Sequence, residues 1–89
     1  MPQTLDKTVL EDELAVSLAR AVAAANDRAR REGVEPKQSL LTAAEHPCAG
    51  EVCWRISYGP RDYIRRRGGD LIIEVGLDDG EVRRVLRGQ

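Results

Sequence analysis

Val52-Cys53-Trp54-Arg55-Ile56-Ser57-Tyr58 sets large apolar residues at every second position, and Leu71-Ile72-Ile73-Glu74-Val75-Gly76-Leu77 repeats the alternation further along. Successive side chains of a β-strand point to opposite faces, so a period of two predicts two strands, each with one face buried. Asp78, Asp79 and Gly80 then form a turn signal, and Glu81 to Arg87 follows as a last strand. Strands joined by so short a turn pair antiparallel. Upstream, Ser39 to Thr42 is a short candidate strand, and His46 to Gly50, with Pro47 and Gly50, is its turn.

The stretch before Pro36 has a different period. Leu10, Leu14, Leu18, Ala21, Val22, Ala25 and Ala29 recur every three or four residues, which places them on one face of a helix. Thr8 and Glu11 fit a capping box at its start. Arg28, Arg30 and Arg31 suit the negative end of the helix dipole, and Gly33 and Pro36 are stop signals. Gly76, inside a strand, implies a bulge or a close neighbour, the alanine-rich end of the helix being the candidate. The predicted fold is a single α+β domain over residues 1–89. One N-terminal helix, about 8–32, packs on a four-stranded antiparallel meander sheet, about 38–88. Leu14, Leu18, Val22, Trp54, Ile56, Ile73 and Val75 are its predicted core.

At 89 residues the chain suits one domain. Its aromatics are Trp54, Tyr58 and Tyr63, with no Phe, so the core must be aliphatic and thin. A thin core over one sheet face leaves an edge or the other face in need of cover, which a homodimer would supply. The net charge of −1, with 33% charged residues, lacks the basic excess of a nucleic-acid binder. No basic start and apolar run open the chain, and Leu18 to Ala25 is too short to span a bilayer, so the expectation is a cytoplasmic protein without a membrane segment. Cys48 and Cys53 are expected as free thiols in a reducing cytosol. A bond between them across a tight loop is sterically allowed in an oxidising compartment.

Candidate chemistry is sparse. His46, the sole histidine, sits beside Pro47 in an expected turn, and the Asp78–Asp79 pair is what a hairpin tip asks for, where no pKa need shift. His46, Cys48 and Cys53 lack the spacing of a tetrahedral zinc site. No catalytic, cofactor-binding or metal-binding residue is therefore assigned. The segment Tyr63, Ile64, Arg65, Arg66, Arg67 stands apart. It joins two large apolar side chains to three guanidinium groups, the residue types that anchor protein interfaces and grip carboxylates, so it is the candidate partner-binding site.

The order of motifs in residues 51–89 carries a resemblance: Trp54 in a strand ending Tyr58-Gly59-Pro60, Gly68-Gly69 opening another, and Asp79-Gly80-Glu81-Val82 in a hairpin. It resembles small bacterial immunity proteins of the nuclear transport factor two-like fold and, secondly, PepSY-type domains. The first resemblance implies a cystatin-like helix-on-sheet shape and a cytoplasmic protein that binds and neutralises a toxin. The second implies peptidase inhibition or extracytoplasmic binding. Larger members of the first fold class include enzymes with a cone-shaped cavity, so a small-ligand or hydrolytic domain is the alternative. Whether Trp54 and Tyr58 line an open concavity with His46 or an acid, or lie under the helix, separates the two.

Overall fold

The computed structural model describes residues 7–60 and 71–87. A single helical turn, α1 (Lys7–Leu10), leads into the long helix α2 (Glu13–Arg31). A short 3₁₀ turn at Pro36–Gln38 opens a sheet of β1 (Ser39–Cys48), β2 (Glu51–Pro60), β3 (Leu71–Gly76) and β4 (Val82–Arg87). The strands pair antiparallel in the order β1-β2-β3-β4, the expected meander, and α2 lies chiefly over β3 and β2. The helix-on-sheet α+β class read from the two periodicities is the observed one.

Helix α2 starts later than the Thr8–Glu11 pair implies. Its cap is Asp12, in extended conformation, whose carboxylate accepts from the Ala15 N–H at 2.9 Å. Aspartate at this position satisfies an early orphan donor and adds negative charge at the positive end of the dipole. The C-terminus follows expectation. Gly33 at φ +88° takes the left-handed position, its N–H donates to Arg30 O and the Val34 N–H donates to Ala29 O, closing a Schellman motif.

Packing corrects the predicted helix face. Ala21, Ala25 and Ala29 are fully buried, Leu18 and Val22 only flank the core, and Leu14 is 58% exposed. Two parallel ridges at i, i+4 spacing share the apolar arc, and the ridge of small residues lets the helix backbone approach the sheet closely. Sheet expectations hold better: Trp54, Ile56, Ile73 and Val75 are buried, together with Tyr58 and Leu71.

β1 is longer than predicted. It runs through His46 and Pro47 to Cys48, and only Ala49 and Gly50, at φ 48° and 83°, form the turn. Positive φ at both central residues makes a turn whose twist matches a two-residue hairpin. A register shift between β3 and β4 does occur, but between Glu74 and Val75 and not at Gly76 itself. The close neighbours of Gly76 are the Asp79 carboxylate and the Arg83 guanidinium and not the helix: a β-carbon there would lie 2.8 Å from the guanidinium carbon.

Candidate functional site

Register assigns every strand residue to one of two faces. Trp54, Ile56 and Tyr58 on β2 and Leu71, Ile73 and Val75 on β3 point at α2. Both aromatics are tied to that helix by their polar ends. Trp54 Nε1 donates to Ser17 Oγ at 2.9 Å, and that hydroxyl donates to Leu77 O at 2.9 Å. Tyr58 Oη donates to Asn26 Oδ1 at 2.7 Å. Burial disfavours the phenolate more than the nearby Arg30 charge favours it, so the Tyr58 pKa is pushed up to about 12. The aromatic side of the sheet is thus filled by the helix, and His46, paired with Cys53, belongs to the opposite face.

That opposite face is where the charges converge. Arg55, Glu74 and Arg84 stand directly across from one another on β2, β3 and β4. The Arg55 guanidinium donates to Glu74 Oε2 at 2.8 and 3.2 Å, and Arg84 Nε donates to Glu74 Oε1 at 3.1 Å. The Glu74 side chain has no exposed surface, whereas those of Arg55 and Arg84 are 30% and 55% exposed. Burial pushes the Glu74 pKa up, yet the hydrogen bonds and charges of the two arginines outweigh it and hold the carboxyl below its ordinary value. In the next row Arg83 folds over Gly76, bonding Asp79 Oδ2 at 2.8 Å and Glu51 Oε2 at 3.3 Å. The Arg83 guanidinium and then the Glu81 N–H hold the Asp79 pKa down, and the two acids raise that of Arg83.

A disulfide joins Cys48 and Cys53 on this same face, across Cα atoms 6.1 Å apart. It replaces the expected pair of free thiols because the ten-residue pairing of β1 and β2 sets Cys53 diagonally opposite Cys48. Neither sulfur is therefore available to a metal. Leu40, Thr42 and Ala44 complete the face on β1, all exposed. Among the described residues no helix packs on this surface, and at its Gly76 end the Asp79 and Arg83 side chains lie over it. Chemically it is a surface on which two guanidinium groups share one carboxylate, leaving donor capacity for an incoming acceptor.

A concavity of about 520 Å³ opens where α1, the start of α2 and the β3–β4 turn meet, between Leu10, Leu14, Arg20, Leu77 and Asp78. Its lining holds acids and Ser17 but no histidine or cysteine. Arg20 spans it, donating to Asp78 O at 3.4 Å.

The predicted contact segment, Tyr63, Ile64, Arg65, Arg66 and Arg67, lies outside the described residues. Asp79 does the turn work expected of it, accepting from the Glu81 N–H at 2.9 Å. Sequence reasoning missed the Arg55–Glu74–Arg84 row. Its only trace was an acid at a core-adjacent phase of β3 and an arginine at the matching phase of β2. Among the described residues, no helix is long and apolar enough to cross a membrane. No protein-family model, curated protein or solved structure matches the chain.

Proposed function

We propose that this protein is a non-enzymatic protein-binding module that engages its partner through the sheet face opposite α2. The observation that carries the reading is the Arg55–Glu74–Arg84 row, a preorganised, half-exposed pair of guanidinium groups on a face that no described helix packs against. Arginines with unused donors suit a carboxylate-bearing protein surface. The helix-covered position of Trp54 and Tyr58 supports binding over a cone-cavity enzyme. Toxin neutralisation in the cytoplasm, as in the small immunity proteins, is the specific form proposed.

One observation favours a second form. The Cys48–Cys53 bond suits an oxidising compartment, and with it a PepSY-type binding or peptidase-inhibiting role. Alkylation of the protein in its native host separates the two: modified thiols go with the cytoplasmic form, protected ones with the second.

The binding reading is tested with three variants against a host extract. Ala44→Arg places bulk on the open face, Ala23→Arg does so on the exposed side of α2, and the third replaces Arg65, Arg66 and Arg67 together by Ala. Capture of a partner lost only with Ala44→Arg supports the sheet face. Loss only with the triple variant moves the site to that segment, and equal capture by all three removes both surfaces.

A further inference from the structure

β1 is an edge strand, and the two edges of the sheet are unlike. β4 is six residues long, has irregular pairing, and carries Arg83, Arg84 and Arg87, the devices by which proteins discourage strand addition. β1 is ten residues long, pairs with β2 without interruption, and contains no lysine or arginine. Its free edge is of the kind that invites another strand.

Backbone direction along that edge follows from the hairpin. A two-residue turn makes Cys48 and Glu51 a hydrogen-bonded pair, so the groups of His46, Ala44 and Thr42 also face β2. Those of Leu41, Ala43, Glu45 and Pro47 face outward, which agrees with Pro47 having no N–H to give. At the other end, the Ser39 N–H is already bonded to Pro36 O. The outward ladder therefore offers complete donor–acceptor pairs at Leu41, Ala43 and Glu45, closed by a residue without a free donor on either side. This pattern is symmetric about Ala43.

We propose that a second copy of this chain pairs antiparallel with β1 about a two-fold axis at Ala43, joining two sheets into one of eight strands. Ala43 then faces its own equivalent and Leu41 faces Glu45, so all three outward residues exchange both bonds. Ser39 falls opposite Pro47, and neither leaves a donor unpaired. On the open face Leu40, 47% exposed here, comes against the partner's His46 and loses water contact. The isologous geometry follows from the symmetry of the ladder, which an unrelated strand would not need to match. Such a dimer doubles the area of the open face without covering it, so it stands whether or not that face is the binding surface.

Sedimentation equilibrium on the full chain tests this, from about 1 to 300 μM, the span over which weak interfaces dissociate. Wild type should pass from monomer to dimer, and a monomer throughout overturns the proposal. Ala43→Pro removes the central outward N–H at an edge position where proline is tolerated, and should weaken association at least roughly tenfold with far-UV dichroism unchanged. Should it fail to fold, Ala43→Lys at the same exposed position serves instead. An unaltered dimer in the folded variant overturns the assignment to β1. Register is read separately by mild oxidation: Ala43→Cys should form a covalent dimer, because equivalent residues on the axis lie about 5.5 Å apart, whereas Thr42→Cys should not. The reverse result overturns the two-fold at Ala43.

Discussion

Glu74 is the residue on which the open face depends, because a carboxylate without water contact is tolerated only while Arg55 and Arg84 both bond to it. Glu74→Gln keeps the shape and removes the charge, leaving two guanidinium groups beside a neutral amide. The expected loss is about 1–3 kcal/mol, below that of a fully buried pair since both arginines are partly solvated. Its folded pKa lies under the ordinary 4.5, so the stabilisation is present above that value and is lost as pH falls through the lower folded one. Urea unfolding from pH 7 into acid should show wild type and Glu74→Gln converging. Parallel curves would mean that another group carries the acid sensitivity. Tyr58 titrates with the opposite sense at the other extreme. Burial raises its pKa from 10.0 to about 12, so its contribution is intact below pH 10 and is lost as pH rises toward 12. Two units correspond to about 2–3 kcal/mol at most. The stability advantage of wild type over Tyr58→Phe should shrink across that interval, and a constant difference would refute the buried-phenol account.

At the scale of elements, α2 shows what a sequence period can and cannot settle. The apolar arc was legible, and so were the Gly33 stop and the basic last turn. Which ridge meets the sheet was not, because leucines and alanines both lie within the arc and hydropathy ranks the leucines higher. Close approach of helix to sheet reversed that ranking: Ala25 has no room to grow, and Leu14 lies beyond the contact. Ala25→Leu should therefore cost about 1–3 kcal/mol or more by overpacking, while Leu14→Ala should stay within about 0.5 kcal/mol. Chemical denaturation of the two variants decides between the ridges, since the leucine-faced alternative predicts the opposite order. β1 was half legible for a related reason. Pro47 and His46 resemble a turn in sequence, yet an edge strand accepts proline wherever its missing N–H would have faced outward.

For the whole molecule, the Trp54–Ser17–Leu77 chain of hydrogen bonds links β2, α2 and the end of β3 at one point. Helix and sheet should then unfold together. Trp54 fluorescence and the helical dichroism signal at 222 nm should give coincident urea transitions at a fixed protein concentration. Loss of the helical signal at lower urea would show that α2 docks only weakly. Of the candidate surfaces, the Tyr63 to Arg67 segment was readable from composition, since apolar and cationic side chains adjacent in sequence need no fold to bring them together. The arginine–glutamate row needed the register of three strands, which no local pattern states. The sequence by itself determined the α+β class, the meander order, the helix stop and the apolar face of β2 and β3, because periodicity and turn chemistry act over a few residues. Only tertiary structure decided which helix ridge is buried, that Asp79 and Arg83 fill the space above Gly76, that Cys48 meets Cys53, and that a carboxylate on the face opposite α2 is sealed by arginines from both neighbouring strands. Each of these depends on how closely separate elements approach and in what register, distances set by packing between residues far apart in the chain.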